Sequence, residues 1–254
     1  MPETVRYIVP IVDFASVAAN APNPLVNPAD IVIVACPGGN CPATGGAIAF
    51  VPPSPALAAY QIDLPYNFFG SVLIMSAPDA SAGAPDYIPT DYFFGGPLVG
   101  TRLPDGGPLL APDGTPVVEG IPITPITYST LDSFYQGVGG MFDMTKGLLV
   151  ARLLDCNGNR AAGVTLNVQN PGMATGYTLY SDYLPVQAVP GQPFPISDSH
   201  GVSGYANLDP RNYIVSATTP DGKATYAQMT VATILANVLT EVELRTDVPH
   251  NVGR

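Results

Sequence analysis

Apolar and polar positions alternate in short runs along this chain, and Pro, Gly, Asn and Asp interrupt the runs at close intervals. In "GVTLNV", Val164, Leu166 and Val168 fall on one face and Thr165 and Asn167 on the other. In "NYIVSATTP", Tyr213, Val215 and Ala217 oppose Ile214 and Ser216. Successive side chains of a strand point to opposite sides of a sheet, so this period of two predicts strands with one buried and one solvated face. Helical periodicity is confined to "TYSTLDSFYQGVGGMF", Thr127 to Phe142. There Thr127, Ser129 or Thr130 can cap the start, Leu131, Phe134 and Tyr135 form an apolar stripe, and Gly137 or Gly139 stops it. An all-β chain with one short helix follows.

One plan recurs in the two halves. "VRYIVPIVDFASVAANAPNPLVNPADIVIVAC" reads as a strand, a Pro/Asn loop and a second strand. "GLLVARLLDCNGNRAAGVTLNVQN" reads as a strand, a Gly/Asn turn and a second strand. Later, "YQIDLPYNFFGSVLIMSA" and "GYANLDPRNYIVSA" each run through Leu and a Pro-containing turn into an outgoing apolar strand. The last strands are "DYIPTDYFFG" in the first half and "ATYAQMTV" and "LTEVELRT" in the second. Between the halves, "TRLPDGGPLLAPDGTPVVEGIPITP" shows little alternation and reads as a linker or extended surface loop. Short strands separated by turn signals predict β-sandwiches. The expected organisation is a sandwich over 1–100, a Pro/Gly-rich connection with the helix over 101–145, and a second sandwich over 146–254.

The second half, about Lys146 to Thr246, resembles a carboxypeptidase-regulatory-like domain of transthyretin-like (immunoglobulin-like) β-sandwich fold. The matching residues are "KGLLVARLLDCNGNRAAGVTLNV", with Asp155, Gly158 and Ala162-Gly163-Val164. They continue in "SDSHGVSGYANLDPRNYIVSAT", where Gly201, Gly204 and Leu208 precede the turn and return strand. The first half resembles the same family more faintly, through "YQIDLPYNFFGSVLIMS" and "DYIPTDYF". The resemblance implies two tandem domains of adhesive, stabilising or scaffold type; a fold of this kind does not fix a function.

Composition narrows the partners. Hydrophobic residues are 46% of the 254 and charged residues only 11%, so a large core can form and little of the surface is ionic. The net charge is −11 with nine Lys and Arg and no basic cluster, which excludes phosphate-backbone binding to nucleic acid and a polybasic membrane anchor. No apolar run reaches 18 residues, so no helix is expected to span a membrane. "MPETVRYIVPIVDF" lacks the features of a leader peptide, and the expectation is a mature or recombinant form of an exported, extracellular or cell-envelope protein. Cys36 and Cys41 bracket "CPGGNC" after an apolar strand and are a candidate disulfide, with a zinc site as the alternative. Cys156 reads as a small buried hydrophobe.

The polar stretch "SDSHGVSGYANLDPRNYIVSA" places Ser197, Asp198, His200 and Ser203 close together. A nucleophile elbow needs Gly-x-Ser-x-Gly between a strand and a helix, whereas Gly201-Val202-Ser203-Gly204 sits one residue short between two strands. Ser197, Asp198 and Ser199 are therefore expected to cap a turn, with Gly201 and Gly204 letting the backbone turn and twist. The related intradiol dioxygenases bind iron through two Tyr and two His, and this chain has only His200 and His250; hydroxyisourate hydrolases end in Tyr-Arg-Gly-Ser, which "DVPHNVGR" lacks. Asp155, Asn157 and Asn159 begin like an EF-hand loop, but Arg160 and Leu166 occupy its sixth and twelfth positions, leaving a turn or at most a surface calcium ligand set.

The aromatic groups "PYNFFG" (Tyr66, Phe68, Phe69) and "DYFFGG" (Tyr92, Phe93, Phe94) are the candidate interaction surface, because consecutive aromatics in a strand must point to both faces. The alternative is a sheet covered on both sides. The expected function is a non-enzymatic structural or interaction module that binds a protein partner or its own copies. A carbohydrate-binding module stacking sugars on those rings is the alternative, and a metal-dependent enzyme using His200 is a further one.

Overall fold

The computed structural model describes residues 3–18, 25–38, 59–78, 83–94, 96–103, 105–120, 122–137, 141–155, 159–179, 185–187, 197, 201–219 and 230–245. They form two compact units. Unit 1 takes the chain up to Tyr87 and from residue 96 to Thr127; unit 2 takes Ile88 to residue 95 and the described chain from Tyr128 to Arg245.

Unit 1 contains β1 (Thr4–Val9), α1 (Phe14–Ala18), a 3-10 turn (Pro28–Asp30), β2 (Ile31–Pro37), β3 (Tyr60–Pro65), β4 (Gly70–Ser76) and β6 (Val117–Glu119). β1 pairs antiparallel with β3 so that Val5 meets Leu64, Tyr7 meets Ile62 and Val9 meets Tyr60. All six are buried, as same-face cross-strand pairs should be when one face is apolar. β6 extends this sheet parallel to β1. β2 and β4 pair antiparallel outside that three-stranded sheet, with Ile33 opposite Ile74 and Ala35 opposite Val72.

Unit 2 contains β5 (Thr90–Phe93), α2 (Tyr128–Gly137), β7 (Gly147–Leu154), β8 (Thr165–Val168), β9 (Thr175–Leu179), β10 (Pro185–Gln187), β11 (Val202–Leu208), β12 (Arg211–Thr218), β13 (Thr230–Ile234) and β14 (Leu239–Arg245). Its larger sheet runs β10-β9-β11-β7-β14-β5, and the smaller runs β13-β12-β8. Leu149, Ala151, Leu153, Tyr205, Val242, Leu244 and Phe93 from the first sheet share one core with Leu166, Val168, Tyr213, Val215, Ala217, Ala232 and Ile234 from the second. Two layers facing across an apolar core make a sandwich. Each buried aliphatic side chain contributes about 1.5–3 kcal/mol by leaving water.

The alternation seen in the sequence is realised in space. Val164, Leu166 and Val168 are buried, and Tyr213, Val215 and Ala217 face the core while Ile214 points outward. The two halves also share a strand plan. β1 pairs with β3 and β2 with β4 in unit 1; β7 pairs with β11 and β8 with β12 in unit 2. β6 lies parallel to β1 as β14 lies parallel to β7. The two Pro-containing turns therefore hand the chain from one sheet to the other and close no hairpin. Asn67 and Asn207 supply the positive φ there (62° and 60°), a region Asn tolerates better than most residues. Asn207 coincides with a register shift in β11. Its side chain accepts from Asp143 N at 2.9 Å and donates to Met141 O at 3.0 Å.

Three expectations change. The segment 101–119 is no plain linker. Thr101 N donates to Val117 O, Val117 N to Leu109 O and Leu109 N to Thr101 O, at 2.6, 2.9 and 2.8 Å, a closed ring of three strand-like segments. The cause is an eight-residue repeat, "LPDGGPLL" then "APDGTPVV", whose aspartates make matching turns. Asp105 accepts from Gly107 N at 2.9 Å, and Asp113 from Thr115 N at 3.0 Å. Second, the sequence pattern places β5 with the first half, yet it lies in unit 2, parallel to β14, with Thr90 opposite Leu239 and Phe93 opposite Val242. The expected boundaries at 100 and 145 thus differ from the observed division. Third, α1 adds a helix inside a stretch read as loop, where Asp13 Oδ2 accepts from Ser16 N at 2.8 Å as an N-cap. The expected helix is α2, with Leu131 and Tyr135 buried.

Candidate functional site

Of the six aromatics expected at a surface, Phe68 in unit 1 and Tyr92, Phe93 and Phe94 in unit 2 are buried, and Tyr66 is partly exposed. Phe69 alone among them is well exposed, at 60%. The two groups also fall in different units. Phe93 belongs to the unit 2 core, and Tyr92 and Phe94 meet edge to face with centroids 5.8 Å apart. Burial wins because these side chains supply apolar area that few charged residues compete to displace. The aromatic binding surface is corrected to the covered-sheet alternative, with Phe69 the exception.

Of the residues expected to cap a turn, Ser197 is described, and its bonds run to the distant 161–164 segment. Ser197 is buried, its Oγ donating to Ala161 O at 2.7 Å and accepting from Val164 N at 3.1 Å. Its backbone pairs with Gly163 N and Val164 O, at 2.7 and 2.9 Å. Gly201 has φ +59°, and a Cβ there would sit 2.6 Å from Leu153 O, so only glycine fits. Ser203 is fully buried on the core side of β11. Asp198, Ser199, His200 and His250 lie outside the described residues. So do Cys41, Cys156 and Asn157. Asp155 accepts from Asn159 N at 2.8 Å, a turn contact. Cys36 is fully buried and disulfide-bonded. Among the described residues no group of three His, Cys, Asp or Glu could hold a metal ion.

Ionisable groups missed in the sequence line the outer face of the larger unit 2 sheet. On β14, Val242 and Leu244 point into the core, which turns Glu241 and Glu243 to the opposite face. Arg152, alternating with core-facing Ala151 and Leu153 on β7, reaches Glu241 with Nη2 3.0 Å from Oε2. Both are nearly inaccessible, at 6% and 3%. Burial pushes Glu241 above the ordinary carboxylate range, and Arg152 pulls the other way. Tyr92 OH donates to Glu243 Oε2 at 2.9 Å, and Arg245 pairs with Glu243. The signal was present as Glu at alternate positions of "LTEVELR" opposite the Arg of "LVARLL". These groups satisfy one another across β5, β14 and β7, an arrangement that fixes strand register.

The smaller sheet offers the open surface. Ile214 on β12 and Val231 on β13 are directly paired and both point outward, 42% and 58% exposed. Beside them a shallow groove of about 270 Å³ is lined by Gln169, Asn170, Arg211, Asn212, Tyr213, Ile214 and Val231. Arg211 lies 4.6 Å above the Tyr213 ring and donates to Asn170 O at 2.5 Å, which holds its guanidinium in place. β13 pairs with β12 and with no other strand among the described residues. In unit 1, Arg6 on β1 pairs with Asp63 at 2.7 Å and with Asp113 at 3.0 Å, tying the repeated turns to the sheet.

No family profile matches the chain, and no curated protein does. Solved structures that it is similar to include the Bacillus anthracis TIE protein, at 12% identity and TM-score 0.27, over 96% of this chain and 34% of that one. The chain thus spans about a third of that protein's length. Others are shaft pilin spaA from Lactobacillus rhamnosus GG, at 14% identity and TM-score 0.26, covering 97% and 98%, and the group B streptococcus pilus 2b backbone protein, at 9% and 0.27, covering 97% and 87%. At these identities and scores the likeness carries no argument about function.

Proposed function

We propose that the chain is a non-enzymatic structural module that acts by surface association, with a protein partner or with its own copies, in an extracellular or cell-envelope setting. One observation carries this reading. The larger sheet buries its charged groups in mutual contacts on the face away from the core, Arg152 on Glu241 and Tyr92 OH on Glu243, while the smaller sheet leaves a paired apolar Ile214–Val231 patch facing out. Two β-branched residues exposed side by side on one sheet face offer apolar area that a partner can bury. The disulfide at Cys36 supports an oxidising compartment. The resemblance to carboxypeptidase-regulatory-like modules, whose usual role is accessory, points the same way. Light scattering of the parent chain and of Ile214→Asp/Val231→Asp tests the reading. Association of the parent that is lost in the variant supports it; a parent that stays single alone and with candidate protein partners contradicts it.

A further inference from the structure

Asp30, at the entry to β2 in unit 1, is a buried carboxylate without a partner. It is 9% exposed, and among the described residues its side chain takes part in no hydrogen bond and no ion pair. Its backbone is fixed from both sides. Asp30 N donates to Asn27 O at 2.9 Å, and Ala77 N donates to Asp30 O at 2.8 Å, which pins the residue between the 3-10 turn and the end of β4. The described cations of unit 1 are committed elsewhere, Arg6 to Asp63 and Asp113 and Arg102 to the Gly106 carbonyl. Burying a carboxylate is costly unless something positive or a hydrogen-bond donor meets it.

The surroundings of Asp30 offer acceptors. Tyr60 OH donates to Val26 O at 2.9 Å, and Tyr87 OH donates to Asp13 Oδ1 at 3.4 Å, so both hydroxyl protons are in use and their oxygens present lone pairs. Burial raises both hydroxyls above the ordinary phenol range. Asp30 raises Tyr60 further, and Asp13 and then Asp30 raise Tyr87, so the two carboxylates act on one hydroxyl. The backbone brings these groups to the same corner of the unit. Val26 N donates to Ile11 O at 2.9 Å, Val12 bridges to Leu25, and Tyr87 N donates to Ser76 Oγ at 2.8 Å. Asp13 is half-buried, and the helix-capping bond from Ser16 N at 2.8 Å leaves its carboxylate with lone pairs to spare.

We propose that Asp30 and Asp13 hold a calcium ion, with the Val26 carbonyl and water completing its oxygen shell. A donor set of oxygens alone, with no thiolate or imidazole, disfavours zinc and copper. Calcium accepts about six to eight oxygens in irregular arrangements, as ligands from separate chain segments require, whereas magnesium demands a regular octahedron. The partly exposed Asp13 gives the ion its way in. Bound there, it ties the chain after β1 to the turn before β2. The site lies in unit 1 and goes beyond the surface association proposed above.

Metal-free protein, prepared with a chelator, is titrated with Ca2+ by calorimetry and with Tb3+, a calcium surrogate whose emission is excited through neighbouring tyrosines; the chain has no Trp to compete. A Kd of about 0.1–1 mM, the range of extracellular calcium modules, is expected. Tb3+ emission should be displaced by Ca2+ and reduced in Tyr87→Phe. Asp30→Asn and Asp13→Asn should each weaken Ca2+ binding by about tenfold or more, while Asp155→Asn, at the EF-hand-like turn of unit 2, leaves it unchanged. Thermal unfolding separates loss of the site from loss of the fold. In chelator, Asp30→Asn should melt no lower than the parent, because it removes an unpaired buried charge, and Ca2+ should raise the parent's midpoint and not the variant's. No Ca2+ binding by the parent at millimolar concentration, undiminished binding in Asp30→Asn, or a midpoint of Asp30→Asn below the parent's in chelator overturns the site. None of these outcomes touches association through Ile214 and Val231, so the two readings fail separately.

Discussion

Replacing Arg152 by methionine removes one half of a buried ion pair and leaves the other half in place. The guanidinium and the Glu241 carboxylate are 3.0 Å apart. At an effective dielectric near 20 their attraction is about 5 kcal/mol, close to the several kcal/mol that each ion loses on leaving water. The intact pair is therefore nearly neutral, but an unpaired buried carboxylate is not, and Arg152→Met is expected to cost about 3–5 kcal/mol at neutral pH. With a urea dependence of about 2 kcal/mol per molar, the unfolding midpoint followed by circular dichroism falls by roughly 2 M. Arg152→Met/Glu241→Leu, which removes both charges, should recover most of the loss. The pH dependence has a definite sign. Burial already holds Glu241 above its unfolded value, and losing Arg152 raises it further. The folded state then binds a proton that the unfolded state releases, so stability is retained below the ordinary Glu range and lost as pH rises through the raised value. The variant should consequently lie nearer the parent at about pH 4 than at about pH 7. A deficit below about 1 kcal/mol, equal at both pH values, would mean that this sheet face is wet and the pair contributes no constraint.

Other outcomes follow from single sites. Ser197→Ala should lower stability by about 1–3 kcal/mol in urea titration, because it leaves Val164 N and Ala161 O without the hydroxyl that bridges them. Gly201→Ala should destabilise unit 2, since the added Cβ meets Leu153 O in a left-handed backbone; a thermal midpoint equal to the parent's would contradict that geometry. Phe93→Ala should cost about 3–5 kcal/mol despite lying in a strand from the first half of the sequence. Reducing the disulfide at Cys36 should lower the thermal midpoint, the loss for a native disulfide being typically about 2–5 kcal/mol.

Much of the fold was legible because it rests on a local rule. Alternation in "GVTLNV" and "NYIVSA" placed Val164, Leu166, Val168, Tyr213, Val215 and Ala217 on the core side, and Gly201 was recognised as a turn glycine. What local pattern could not show was which strand pairs with which. "TDYF" looks like the last strand of the first half, and nothing within it announces a partner 149 positions away at Leu239. The candidate surface failed for a related reason. Consecutive aromatics must point both ways, but whether the second face is covered depends on long-range packing, which buried Phe68, Phe93 and Phe94 and left Phe69 out. The buried pair of Arg152 and Glu241 was visible only as charges inside apolar strands, and the paired exposure of Ile214 and Val231 needed the register of β12 against β13. The repeated turns at Asp105 and Asp113 were readable from an eight-residue period and were obscured by the surrounding prolines.

Hydrogen–deuterium exchange of dilute and concentrated protein tests most directly whether this chain works by association. The account predicts slower exchange in the concentrated sample, focused on β12 and β13 around Ile214 and Val231. Exchange that is identical at every amide across the concentration range, with protection appearing only when a small molecule is added, would contradict it.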